Sequence, residues 1–387
     1  MFKILTLNNI AVDGLERLAR DRYEVSSECS APDAILLRSY KMHEMEIPAS
    51  LKAVGRAGAG VNNIPLDRMT ERGVVVFNAP GANANAVKEL VVAGMLMACR
   101  NLTEAWKYTT ELEGTDAQIS KDVEAGKKKY VGYELPGKTL GVIGLGAIGV
   151  KVANAARLLG MNVIGFDPGI SVESAWNLSS DIKPAKSIDH LIKKVDFISF
   201  HVPLIAATKN MINAERLEMM KNGAVILNFA REGIVDDQAV LDAIESGKIH
   251  AYVSDFPSNM LKGHDKVITL PHLGASTGEA ETNCAVMVSE QLKDYLENGN
   301  VVNSVNFPEV HLPRVSDFRL TVVNRNLPDM VGQISHVLGS HEINILHMVN
   351  ESRKEIAYTM MDINKSAEEE VMQQINAIDG VLASRSM

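Results

Sequence analysis

The sequence predicts an α/β chain made of two parallel-sheet units and a smaller βαββαβ unit at its end. Three observations predict it. Short apolar runs alternate with helical segments in the first part, the middle repeats that rhythm around a glycine-rich turn, and the closing segment spells strand, helix, strand, strand, helix, strand.

In the first part "FKILTL", "AILLR", "LKAVGRAG" and "VVVFNAP" read as strands, and "VDGLERLARD" reads as the intervening helix. A long apolar-periodic helix begins at "NAVKELVVAGMLMACRNLTEAW". The interval 138–272 then holds its own strand series: "TLGVIG", "NVIGFD", "DFISFH", "AVILNF", "AYVSD" and "VITLP". Near-continuous apolar runs such as "AVILNF" suit strands of a parallel sheet covered on both faces. The stretch "ENGNVVNSVNFPEVHLPR", residues 297–314, is rich in Asn and Pro without a clear period and reads as a linker. Beyond it lie "FRLTVVNRN", "DMVGQISHVLGSHEI", "NILHMVNESR", "EIAYTMMDIN", "SAEEEVMQQINAID" and "GVLASRSM", a ferredoxin-like order expected to form a small separate domain. Ser366 and Glu369 have capping-box spacing at its second helix.

With 387 residues, 46% of them hydrophobic and 22% charged, the chain is long enough for two or three cores and has an ordinary soluble composition. A formal net charge of −9 argues against nucleic acid as a partner, because phosphate backbones need a basic face. Cys29, Cys99 and Cys284 are widely spaced, so neither a disulfide framework nor a metal site is expected. "MFKILTLNN" has too short an apolar run for a signal peptide and no stretch approaches the roughly 20 apolar residues of a membrane span, so a cytoplasmic location is expected.

The glycine-rich turn is "TLGVIGLGAIGVKVANAARLLGMNVIGFDP", in which Gly144, Gly146 and Gly149 follow a strand and open a helix. Gly144 permits the tight turn, Gly146 lets a pyrophosphate approach the backbone, and Gly149 lets the helix pack on its strand. The amides there, those of Ala147 and Ile148 included, face an anion. Asp167 ends the next strand, where a carboxylate accepts ribose hydroxyls and repels a 2′-phosphate. The context predicts a Rossmann-like domain that binds NAD.

"GKTLGVIGLGAIG", "HVPL", "NFAREGIVDDQAVLDAI" and "PHLGAST" resemble the D-isomer-specific 2-hydroxyacid dehydrogenases over roughly residues 1–305, and the closing βαββαβ segment resembles an ACT domain. The resemblance implies a flavodoxin-like substrate domain from residues 1–93 and 283–304, an inserted Rossmann-like domain from 94–282, a linker at 305–317 and an ACT regulatory domain at 318–387. Substrate would lie in a cleft between the first two, whose closure accompanies turnover. It also implies cofactor contacts at His201, Pro203, Ala230 and Asp255, the last facing the nicotinamide carboxamide.

The chemistry can be argued from the residues as well. Oxidising a 2-hydroxy acid requires a cation for the carboxylate, a base for the hydroxyl proton and a hydride acceptor. Arg231, after "AVILNF", lies where open α/β sheets place ligands, and its fork grips a carboxylate. His272, after "VITLP", is the acid/base, and the family assigns these roles to the matching residues. Family members usually carry a glutamate that pairs with this histidine; "FPSNML" lacks it, leaving Asn259 or Asp265 as alternatives. Without a carboxylate the imidazolium loses a stabiliser, so reduction is disfavoured at alkaline pH. Ala147 and Ile148 also stand where many relatives have a basic residue, and Glu232, expected to point outward, stands where glycine is frequent.

A phosphorylated substrate needs a second anion site. Arg38 and Ser39 match a substrate loop of the family, Arg56 and Lys41 are further cations, and the turn holding Gly58, Ala59 and Gly60 offers amides. The run "GKKKY" reads as solvated. Asn324, Asn326 and Asn344 match positions that bind an amino-acid effector, L-serine in many relatives. Asp329 stands where those relatives have glycine, and either caps the helix or blocks the effector's carboxylate. The implied reaction is NAD-dependent oxidation of D-3-phosphoglycerate to 3-phosphohydroxypyruvate, a step toward serine, in a homo-oligomer. A hydroxypyruvate or glyoxylate reductase and a non-catalytic NAD-sensing binding protein remain the alternatives.

Overall fold

The first apolar runs become β1 (Phe2–Leu7), β2 (Tyr23–Ser26), β3 (Ala34–Leu37), β4 (Ala53–Arg56) and β5 (Val75–Phe77), with α1 (Val12–Leu15) and α2 (Leu66–Glu71) between them. All pairings are parallel and the order is β2-β1-β3-β4-β5, which is the flavodoxin-like order. Every residue of β3 is buried, as a two-face-covered parallel strand requires. The helix expected over "VDGLERLARD" is reduced to one turn. Gly14 sits in its middle, where glycine costs about 1 kcal/mol relative to alanine, and a side chain there would lie 2.6 Å from the Ala285 Cβ. Close packing, more than helix propensity, shapes this turn.

The chain then runs through α3 (Ala84–Cys99), α4 (Leu102–Thr110), α5 (Asp116–Gly126) and a 3-10 turn at Lys127–Tyr130. The single long helix expected here breaks at Asn101, which takes a left-handed conformation at φ 50°. Next come β6 (Thr139–Ile143), α6 (Ala147–Leu158), β7 (Asn162–Phe166), α7 (Val172–Asn177), β8 (Lys183–Pro184), α8 (Ile188–Ile192), β9 (Phe197–Phe200), α9 (Ala214–Met219), β10 (Ala224–Asn228), α10 (Asp237–Glu245), β11 (Ile249–Ser254) and β12 (Val267–Thr269). The seven strands are parallel in the order β12-β11-β10-β9-β6-β7-β8. The strand order reverses between β6 and β9, and such a switch point opens a crevice at the strands' carboxyl ends.

The last part contains α11 (Gly278–Asn298), β13 (Phe318–Arg325), α12 (Met330–Ser340), β14 (Ile345–Arg353), β15 (Ile356–Ile363), α13 (Glu369–Asn376) and β16 (Val381–Ser386). Its antiparallel sheet has the order β14-β15-β13-β16, the ferredoxin-like arrangement. The Ser366 capping box does not form. Ala367 is buried in the local core, the helix starts at Glu369, and its N-cap is Glu368 without a side-chain bond.

This computed structural model describes residues 1–387 and divides into two units: Met1–Asn83 with Gly278–Met387, and Ala84–Thr277. The βαββαβ segment therefore shares its unit with the first sheet. Val323, Ile356, Tyr358 and Met360 lie in one core cluster with Phe77, Leu292, Tyr295 and Phe307. The Asn- and Pro-rich stretch contributes to that core, with Val301, Phe307, Val310 and Leu312 buried. Asn306 takes the Val76 amide at 2.8 Å and donates to the Val74 carbonyl at 2.9 Å, sealing the edge of β5. No helix is long and apolar enough to cross a membrane.

Candidate active site

The glycine fingerprint occupies the turn from β6 into α6, and its steric demands are visible atom by atom. Gly144 has φ 88°, and a Cβ there would collide with the His201 carbonyl at the switch point; one on Gly149 would collide with the Gly144 carbonyl. Gly146 faces open space, so an approaching group meets bare backbone there. It is also the N-cap of α6, whose first residues, Ala147 and Ile148, present amides. Asp167 follows β7 and binds the fingerprint from outside: its Oδ2 accepts from the Leu145 amide at 2.8 Å and its Oδ1 from the Gly169 amide at 2.9 Å. The collision-defined turn, the open face at Gly146 and the placed carboxylate fit a dinucleotide.

His201 follows β9, with its Nε2 3.0 Å from the Ser199 hydroxyl. Burial pushes its pKa down to about 3, so it stays neutral. Pro203, two residues on, accepts a 2.6 Å hydrogen bond from the Thr208 hydroxyl, which holds the following turn.

Arg231, Asp255 and His272 follow β10, β11 and β12, three neighbouring strands, at their carboxyl ends. Asn228, almost fully buried, shapes the first turn by accepting from the Ala230 amide at 3.3 Å and donating to the Arg231 carbonyl at 2.9 Å. The exposed Arg231 side chain donates to the Ala230 carbonyl at 2.6 Å. Glu232 is exposed as well, and its charge, with that of Asp236, adds to burial in raising the pKa of Asp237.

Asp255 is 1% exposed and its carboxylate is fully engaged. Oδ1 accepts from the Leu273 amide at 2.8 Å and Oδ2 from the Gly274 amide at 2.9 Å, while the Asp255 carbonyl accepts from the His272 amide at 3.1 Å. Asp255 thus anchors the loop that carries His272, a role sequence reasoning missed because the two partners lie 18 and 19 residues away. His272 is exposed, with φ 55°. Neither Asn259 nor Asp265 bonds to its ring. The neighbour found there is Phe256, whose ring meets the imidazole edge-on, centroids 5.1 Å apart and planes at 64°.

In the first unit, Arg38 follows β3 and pairs with Glu281 at 2.7 Å. Arg56 ends β4 and donates to the Arg38 carbonyl at 3.1 Å, so the two arginines share one loop cluster. Gly58 has φ 149°, and a Cβ there would collide with the Arg56 guanidinium. Asn8 accepts from the Ser39 and Tyr40 amides at 3.1 and 2.6 Å, and Asn78 donates to the Ala59 carbonyl at 2.6 Å, bracing both sides of that cluster near Gly60. Lys41 is exposed and makes no ion pair, and the lysine run ends in an exposed turn in which Lys127 pairs with Glu124.

The three asparagines expected at an effector site are not brought together within one chain. Asn324 pairs across from Ala357 near one end of β15, whereas Asn344 precedes the Ile345–Ile363 pair at the other end. At about 3.3 Å per residue the separation is about 20 Å. Asn324 is 1% exposed, with its Oδ1 unpartnered, and Asn326 donates to the Lys354 carbonyl at 3.2 Å. Asp329 takes φ 64° at the N-cap of α12 but makes no capping bond; its carboxylate lies over Gly332, where a Cβ would collide with it.

Comparisons with known proteins bear on the family and the fold. Residues 92–274 match the family model described as the D-isomer specific 2-hydroxyacid dehydrogenase NAD binding domain. The chain is 32% identical over 361 residues to D-3-phosphoglycerate dehydrogenase of Haemophilus influenzae, covering 90% of this chain and 84% of that protein. It is 38% identical over 332 residues to D-3-phosphoglycerate dehydrogenase of Methanocaldococcus jannaschii, covering 84% of this chain but only 59% of the relative's length. Among solved structures, NAD+-bound 3-phosphoglycerate dehydrogenase of Entamoeba histolytica superposes with a TM-score of 0.61 at 26% identity, covering 79% of this chain and 98% of that one.

Proposed function

The chain belongs to the D-isomer-specific 2-hydroxyacid dehydrogenase family, and from that premise we propose that it oxidises D-3-phosphoglycerate to 3-phosphohydroxypyruvate with NAD. The observation that carries the reading is the placement of Arg231 and His272 at the carboxyl ends of β10 and β12, in the same sheet whose switch point holds the glycine fingerprint. Bound NAD supplies a ring that accepts hydride.

The chain's own residues do the rest. The Arg231 guanidinium grips the substrate carboxylate and polarises the oxygen on C2. His272 takes the hydroxyl proton during oxidation and returns it during reduction. The Gly144–Gly149 turn and the α6 amides hold the pyrophosphate, and Asp167 takes the ribose hydroxyls. Neutral His201 adds no second titrating base near neutrality. Arg38 and Arg56 are the proposed seat of the substrate phosphate, with Ser39 and the amides of Gly58, Ala59 and Gly60 in support. That the Haemophilus influenzae relative, matched over 84% of its length, is named D-3-phosphoglycerate dehydrogenase supports the phosphorylated substrate.

The ferredoxin-like sheet is proposed as an ACT regulatory domain. Because Asn344 lies apart from Asn324 and Asn326, an L-serine effector would need a second copy of the chain to complete its site, which supports a homo-oligomer. The test is NADH oxidation in the presence of 2-keto acids. Arg231→Gln is expected to raise KM and lower kcat, and His272→Gln to lower kcat by about 10²–10⁴-fold with NADH binding retained. Retention of wild-type turnover by either variant would remove it from the mechanism.

A further inference from the structure

We propose that Phe256 is a positioning residue for His272: the imidazole is oriented by an aromatic edge and a clamped backbone, with no carboxylate on the ring. The proposal rests on the dehydrogenase reading and extends it to how the acid/base works.

His272 holds a left-handed backbone that a residue with a side chain adopts only when its surroundings overdetermine it. Asp255 overdetermines it through the three bonds to residues 272–274. Each carboxylate oxygen accepts from a backbone amide, and neither bonds the imidazole. With the backbone fixed, the ring keeps only its own rotations. Phe256, half-buried and anchored by its amide's 3.2 Å bond to the Ser254 hydroxyl, stops them from one side in the edge-to-face geometry that aromatic rings prefer.

Other ionisable groups of the surrounding elements are occupied elsewhere or unbonded to the ring. His264 is directed to Glu245, Lys266 to Glu104, and Arg231 to the Ala230 carbonyl. Asp236 caps α10 and Glu232 bears on Asp237, while Lys262 and Asp265 make no bond to the imidazole. None of these side chains bonds the ring nitrogens, and the contact that remains on the imidazole is the Phe256 ring.

The experiment uses the full chain with NADH and 3-phosphohydroxypyruvate, and three variants. Phe256→Leu is expected to lower kcat about tenfold with both KM values unchanged, because a loosened base loses alignment and not binding. Phe256→Tyr, which keeps the ring edge, is expected to restore kcat. Phe256→Glu places a carboxylate beside the imidazole and is expected to move the alkaline limb of reduction to higher pH by about one unit.

Histidine-labelled NMR of the NADH-loaded chain, with the His272 resonance assigned from His272→Gln, reads the contact without turnover. It should move in Phe256→Leu as the ring current is lost. An unmoved resonance, or Phe256→Leu with wild-type kcat, overturns the proposal, as does a fall in kcat that Phe256→Tyr fails to rescue. Absence of turnover in the wild-type chain would instead defeat the dehydrogenase reading.

Discussion

Arg319 and Asp362 form a fully buried, two-pronged ion pair, Nε to Oδ1 at 2.7 Å and Nη2 to Oδ2 at 3.0 Å. The remaining bonds tie the pair outward: Arg319 Nη1 donates to the Asn298 carbonyl at the end of α11 at 2.8 Å, and Asp362 accepts from the Val315 amide at 2.8 Å. One buried pair thus fastens the ferredoxin-like sheet to the helix that covers the first sheet. Removing one partner leaves an uncompensated charge, so Arg319→Met or Asp362→Asn should each cost about 3–5 kcal/mol, and replacing both by apolar residues should cost less. Urea denaturation of the two singles and the double measures this.

The pH dependence of stability has two contributors of the same sign. Burial alone would raise the pKa of Asp362, but the Arg319 hydrogen bonds and the Val315 amide outweigh it and hold it below the usual carboxylate range. Its stabilisation is complete above the unfolded value of about 3.9 and is lost as pH falls through the lower folded value. His201, held neutral down to about 3, stabilises fully above about 6.5 and progressively less as pH falls toward 3, because the unfolded chain binds the proton first. Between pH 7 and pH 5 only the His201 contribution changes, so the urea midpoint should fall over that window and fall less in His201→Asn, while the Asp362 contribution is lost only below about pH 4.

The fingerprint was legible because each of its glycines meets a separate steric demand at a fixed spacing, and the apolar runs of the parallel strands need no tertiary information. What was not legible depended on distant closure. Asn101 breaks an apolar period that reads as continuous, because an asparagine adopts the left-handed conformation at little cost. Tyr358 donates to the Gly299 carbonyl at 2.7 Å, and Arg385 lies over the Tyr295 ring while bonding the Tyr295 and Leu296 carbonyls. No local pattern announces such contacts, so the C-terminal segment reads as separate although it shares a core with the first sheet. Asp255 stands out in the sequence at the end of a strand, but its choice of the Leu273 and Gly274 amides follows from loop folding.

Asp329→Gly tests the N-terminus of α12. The substitution relieves a left-handed conformation costing about 1 kcal/mol and removes a helix-terminal charge worth about 0.3–1 kcal/mol, so stability should change by less than about 1 kcal/mol. With the carboxylate gone from above Gly332, L-serine binding measured by calorimetry should strengthen by about tenfold or more. Unchanged binding would show that Asp329 does not obstruct the effector.

Glu281→Gln tests the Arg38 assignment. The ion pair at 2.7 Å competes with any anionic ligand of Arg38. Neutralising Glu281 should lower the KM for 3-phosphohydroxypyruvate several-fold, by less than the roughly tenfold that 1.4 kcal/mol represents, because surface pairs are worth about 0–1 kcal/mol. The KM for NADH should stay unchanged.

The central claim is that this chain turns over a phosphorylated 2-hydroxy acid. Its most direct test is the initial rate of NADH oxidation with 3-phosphohydroxypyruvate set against hydroxypyruvate. Two arginines offered to one phosphate predict a kcat/KM at least about 10²-fold higher for the phosphorylated substrate. Equal or better turnover of hydroxypyruvate, or NADH binding without turnover of either, would contradict it.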